Sequence, residues 1–128
     1  MSLRVLIVED EFFIALDLQD QVESLGHKVT GVARDLEGCK RAAMAERPDV
    51  ALMDLRLAEG SSGIDAASWL HNEMGVRCIF ISGNLDDATR ESLSGLRPVA
   101  FIHKPILTHQ LERALVECSQ QACSASGT

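Results

Sequence analysis

At 128 residues the chain fits one domain, and a domain of that size buries roughly two-thirds of its unfolded surface, so it needs no disulfide staples. Its 12 basic residues are outnumbered by 19 acidic ones, giving a net charge of −7, and they are scattered rather than clustered, which argues against a nucleic-acid surface. No apolar run approaches the roughly 18 residues of a membrane span, and the N-terminus enters a strand without a signal-peptide pattern, so a soluble cytoplasmic protein is expected.

Residues 3–8 have the β-branched content and length of a strand, which Glu9-Asp10-Glu11 ends. From Phe12 the period becomes helical, with Ile14, Leu18, Val22 and Leu25 on one stripe and Gly26 as a left-handed cap. Residues 27–33 read as a weaker edge strand interrupted by Gly31. Asp35 caps a helix over 35–46 whose modest apolar face is Cys39, Ala42, Ala43 and Met44, and Pro48 closes that unit. Residues 49–54 then run apolar through Val50, Ala51, Leu52 and Met53 and stop at the carboxylate of Asp54, the pattern of a strand buried on both faces.

After Asp54 comes a turn-rich loop over 55–63. Ser62 and Asp65 resemble a capping box for a helix to Met74 carrying Ile64, Ala67, Trp69 and Leu70, which Gly75 stops. A strand over 76–82 leads to Gly83-Asn84 and an Asp86 cap. The helix over 86–94 is short and poor in apolar residues, and is expected to be the least firmly packed. A fifth strand over 99–104 ends at Pro105, and Thr108 caps a last helix with the stripe Leu111, Ala114, Leu115 and Cys118. These boundaries predict one domain over 1–121 and a flexible tail over 122–128.

Five strands alternating with five helices predict an α/β fold, (βα)5, with a flavodoxin-like, doubly wound, five-stranded parallel sheet in the order 2-1-3-4-5. That order sets Asp10 and Asp54 at the ends of neighbouring strands about 4.8 Å apart, with Glu9 alongside. Carboxylates that close repel by roughly 4 kcal/mol at an effective dielectric near 20, so the cluster must hold a proton or a cation. Oxygen-only ligands favour Mg2+ over Zn2+. No histidine pair or CxxC spacing offers an alternative site, and Cys39, Cys78, Cys118 and Cys123 read as apolar filler and free thiols. Ser82 ends the neighbouring strand, where a short hydroxyl reaches a group on Asp54. Lys104 ends the next, about 10 Å away, a gap that only a long cation crosses. A nucleophilic carboxylate, a metal, a hydroxyl and an ammonium are the parts for phosphoryl transfer to Asp54.

Glu9-Asp10, Asp54, Ser82 and Lys104-Pro105 together resemble the receiver domains of two-component response regulators, over about residues 3 to 120. The resemblance implies Asp54 as phosphoacceptor, assisted by Ser82 and Lys104. It implies Mg2+ on Glu9, Asp10, Asp54 and the Arg56 backbone carbonyl, Ser82 and Phe101 as the switch pair, and a cis Lys104-Pro105 bond. The phosphoryl donor would be the phosphohistidine of a sensor histidine kinase or a histidine phosphotransfer protein. Phosphorylation would rearrange the face made by the fourth helix, fifth strand and fifth helix, for an unknown downstream protein or a phosphorylation-dependent homodimer. The Asp-Leu-Arg-Leu and Gly-Ile-Asp-Ala-Ala segments are also similar to receivers paired with HWE-type kinases.

The chain departs from the family pattern at several positions. Glu9 replaces the commoner Asp, Gly83 stands where Ala is usual, and Phe101 lacks a hydroxyl. The loop after Asp54 lacks the usual Pro and carries one extra residue before Gly63. Arg56 and Asn84 occupy positions that modulate phosphoryl lifetime. A haloacid-dehalogenase-type phosphatase would require a second Asp where Arg56 stands, and a flavodoxin-like carrier would require a glycine- and hydroxyl-rich loop where Glu9-Asp10-Glu11 stands. A receiver that binds partners without phosphorylation is disfavoured by the intact acidic, hydroxyl and lysine positions. With no long segment after the last helix, the expectation is a stand-alone, phosphorylatable receiver, a signalling domain rather than a conventional enzyme.

Overall fold

In the computed structural model, which describes residues 2–57 and 62–126 and side chains through residue 121, every apolar run read from the sequence becomes a strand. The elements are β1 (Arg4–Val8), α1 (Phe12–Ser24), β2 (Lys28–Ala33), α2 (Leu36–Ala45), β3 (Val50–Asp54), α3 (Gly63–Met74), β4 (Arg77–Ser82), α4 (Asp87–Leu93), β5 (Ala100–His103) and α5 (Thr108–Ser126), with a short 3-10 turn Ser94–Leu96 after α4. All strand pairs are parallel and the order is 2-1-3-4-5. The predicted topology is therefore the observed one.

Side chains alternate across the strands and so divide the core in two. Val5, Ile7, Val50, Leu52, Ile79 and Ile81 face the layer of α1 and α5, where Leu18, Val22, Leu111 and Leu115 meet them. Leu6, Val8, Ala51, Met53 and Phe80 face α2, α3 and α4, where Cys39, Ala43, Ala67, Leu70 and Leu93 cover them. Burial on both faces explains the unbroken apolar runs of the central strands, and each fully buried side chain of this size contributes roughly 1.5–3 kcal/mol over an exposed one. β2 pairs with β1 alone and is the edge its weaker pattern indicated.

The punctuation residues act as their types require. Gly26 and Gly75 adopt φ of +89° and +66°, in the region open to glycine. Asp35 accepts from the Gly38 N–H at 2.7 Å and Asp86 from the Thr89 N–H at 2.8 Å. Ser62 does cap α3, but through the Ile64 N–H at 3.1 Å. The Lys104–Pro105 bond is cis. Cys39, Cys78 and Cys118 are free and buried, as apolar filler would be.

One expectation is corrected by packing. Met44 belongs to no buried face: it is 71% exposed, because α2 turns Cys39 and Ala43 inward instead. The helical backbone of α5 runs to Ser126. Residues 58–61 of the turn-rich loop and 127–128 of the expected tail lie outside the described residues, as does the side chain of Cys123.

Candidate functional site

Strand register decides what meets at the carboxyl edge of the sheet. Val8 lies opposite Met53, and Asp54 lies opposite Ile81, so the residues that follow, Glu9 and Ser82, fall next to Asp54. Ser82 lies opposite His103, which carries Lys104 one residue further out. The backbone continues these ladders beyond the strands: the Glu9 N–H donates to the Ala33 carbonyl at 2.8 Å and the Lys104 N–H to the Ser82 carbonyl at 2.9 Å. Side-chain length then closes the gap that strand spacing opens.

Glu9, Asp10 and Asp54 bring carboxylate oxygens within 4.8 Å of one another, and Glu9 and Asp54 are only 3% and 5% exposed. The Lys104 ammonium reaches between them, 3.2 Å from Glu9 Oε1 and 3.4 Å from Asp54 Oδ2. Asp54 Oδ1 accepts from the Arg56 N–H at 3.1 Å, and Glu9 Oε2 from the Glu11 N–H at 3.2 Å. Glu9 Oε1 makes no well-directed hydrogen bond despite its burial and its ion pair. Asp10, Asp54 and Lys104 line a cleft of about 520 Å³ together with Glu11, Arg56, Ser82, Gly83 and Asn84, with Glu9 buried behind them.

Electrostatics follow from this crowding. Burial, then the hydrogen bond and charge of Asp54, push the Glu9 carboxyl up to about 7, against partial relief from the Glu11 N–H and Lys104. Burial disfavours the charged form of Lys104, but Asp54 and Glu9 outweigh it and hold its pKa above the usual lysine value. One ammonium thus offsets only part of the charge of three converging carboxylates. An all-oxygen donor set with an orphaned buried carboxylate oxygen is what a hard divalent cation would satisfy.

Asp54, Glu9, Asp10, Ser82 and Lys104, all chosen from sequence, are brought together. The Ser82 hydroxyl engages its own loop, accepting from the Asn84 N–H at 3.1 Å and donating to the Asn84 carbonyl at 3.3 Å. Phe101 lies away from the cleft, half-buried and stacked on Phe80 with ring centroids 5.8 Å apart. Sequence reasoning missed three features. Lys104 pairs with Glu9 as well as Asp54. Gly63 is pressed against the strand end: a Cβ there would collide with the Asp54 carbonyl oxygen and lie 2.7 Å from Leu55 Cα. Arg90 lies over Phe101. Only Gly63 left a signal, a glycine opening a helix straight after a loop.

A carboxylate at the end of β3 flanked by two acids, a hydroxyl and an ammonium at a parallel sheet's carboxyl edge is the arrangement of a receiver-type signalling domain. The response regulator receiver domain family matches residues 5–116, and the chain belongs to that family. A stretch of 83 residues, 64% of this chain, is 48% identical to the phyllosphere-induced regulator PhyR of Methylorubrum extorquens. The chain spans 31% of that relative's length. The receiver domain of PhyR from Erythrobacter litoralis superposes with a TM-score of 0.78 at 34% identity, covering 91% of this chain and 89% of that one. The receiver domain of a modulated diguanylate cyclase from Desulfovibrio desulfuricans G20 superposes with a TM-score of 0.85 at 32% identity, covering 94% and 96%. Among the described residues no helix is long and apolar enough to cross a membrane.

Proposed function

We propose that this receiver accepts a phosphoryl group on Asp54 and signals through phosphorylation-dependent protein contacts. The observation that carries the reading is the Lys104 ammonium spanning Glu9 Oε1 and Asp54 Oδ2 at 3.2 and 3.4 Å, beside a cleft open to a donor. An Asp54 carboxylate oxygen attacks the phosphorus of a phosphohistidine, the P–N bond breaks, and the imidazole leaves as its electron pair returns to nitrogen. Lys104 balances charge on the Asp54 side of the transferring group, and Ser82 supplies a hydroxyl donor to a phosphoryl oxygen. Mg2+ held by Glu9, Asp10, Asp54 and the Arg56 carbonyl would neutralise charge on the phosphoryl oxygens. Ser82 and Phe101 form the switch pair, and a sensor histidine kinase, such as one of HWE type, or a histidine phosphotransfer protein is the donor. The likeness to PhyR receivers supports a protein partner as the output.

Incubation with acetyl phosphate and Mg2+ should add one phosphoryl group by intact mass, and Asp54→Asn should abolish the addition. Unchanged mass in the unsubstituted protein would favour a receiver that binds partners without phosphorylation, and addition to Asp54→Asn would misplace the acceptor.

A further inference from the structure

Phe80 and Phe101 lie opposite each other on β4 and β5 and stack with an interplanar angle of 24°. On the outer side of this pair, the guanidinium carbon of Arg90 in α4 sits 4.8 Å from the Phe101 ring centroid. The same guanidinium donates through Nε to the Leu85 carbonyl at 3.2 Å. Leu85 follows Asn84, whose N–H and carbonyl both bond the Ser82 hydroxyl. An unbroken series of contacts therefore runs from the Ser82 hydroxyl through the Asn84 and Leu85 backbone to the Arg90 guanidinium and the face of Phe101.

We infer that Arg90 is a positioning residue that couples the loop after Ser82 to the ring of Phe101. The chemistry of the guanidinium suits this task. A planar cation can lie flat on a ring while an N–H in its own plane donates to a carbonyl, which a lysine ammonium does not reproduce. The placement also suits it. α4 contributes only Leu93 to the buried core, so the two contacts of Arg90 weigh heavily in where that helix lies. The regulatory consequence rests on the proposed role of Ser82. A serine hydroxyl has one proton, and when it donates to a phosphoryl oxygen on Asp54 it can no longer donate to the Asn84 carbonyl. With that bond gone, the loop turns about the remaining Asn84 N–H bond and moves the Leu85 carbonyl, and Arg90 converts that movement into a new environment for Phe101.

The coupling is testable without phosphate. The protein is labelled with fluorophenylalanine, and the Phe101 fluorine resonance is assigned by its loss in Phe101→Leu. Ser82→Ala, which removes both bonds to Asn84, is then compared in the Arg90 protein and in Arg90→Lys, with Arg90→Gln as a second background. Ser82→Ala should shift the Phe101 resonance when Arg90 is present and lose most of that shift in both substituted backgrounds, while any shift of the Phe12 and Phe13 resonances on α1 stays the same in all three backgrounds. Equal shifts with and without Arg90, or no shift in either, would overturn the coupling. Phosphoryl uptake by intact mass is recorded on the same proteins. Absent uptake with an intact fluorine coupling would reject the acceptor reading and leave the role of Arg90 standing.

Discussion

Glu9 stands where two demands oppose each other. The end of β1 buries it to 3% exposure beside Asp54, and burial with that neighbour pushes its carboxyl up to about 7. Its folded pKa lies above the ordinary value of 4.5, so its contribution to stability is full below about 4.5 and is lost as pH rises through about 7. In metal-free protein the descending stability between those values should flatten in Glu9→Gln, measured by urea unfolding at successive pH values. Mg2+ competes with that same proton, so its calorimetric affinity should rise from pH 6 to pH 8, and a pH-independent affinity would remove Glu9 from the ligand set. Gly63 makes a different demand. A Cβ there meets the Asp54 and Leu55 backbone, so Gly63→Ala should cost about 1–3 kcal/mol in denaturant unfolding and also slow phosphoryl uptake by displacing the acceptor. The identities of Glu9, Asp10, Asp54, Ser82 and Lys104 were legible because each ends an apolar run. The second partner of Lys104 was not, since it depends on how a flexible side chain crosses the strand end.

At the scale of elements, α4 is the exception among the helices. Its seven residues bury only Leu93, and its start is fixed by the Asp86 carboxylate on the Thr89 N–H. Asp86→Ala should cost that helix about 1 kcal/mol. Hydrogen exchange at the Thr89 and Arg90 amides should then quicken by roughly fivefold, with Ala66 and Leu70 in α3 unchanged; equal protection before and after would mean that packing holds α4. The thin apolar content of residues 86–94 announced this weakness in the sequence, as the dense stripes announced α1 and α5. Met44 failed as a core residue for a related reason. Helical spacing placed it near the Cys39 and Ala43 stripe, but small side chains let α2 sit close to the sheet with Met44 outside.

At the scale of the molecule, two apolar layers hold the five-stranded sheet and leave its carboxyl edge to chemistry. The edge position of β2 was legible in its broken pattern, while the order of the other strands came from the commonest arrangement of five βα units. Register was less legible, because it depends on which residues pair across β3, β4 and β5 and not on any single run. Scaffold and site should be separable: Leu52→Ala, at the centre of one layer, should cost about 2–5 kcal/mol and leave uptake per folded molecule unchanged below its lowered melting temperature. Everything functional in this account depends on an acyl phosphate forming at one side chain. The direct measurement is borohydride reduction after reaction with acetyl phosphate and Mg2+, followed by peptide mapping. Homoserine at position 54 and nowhere else is the predicted result. Homoserine at another acidic position, or none at all in protein that gained phosphoryl mass, would contradict it.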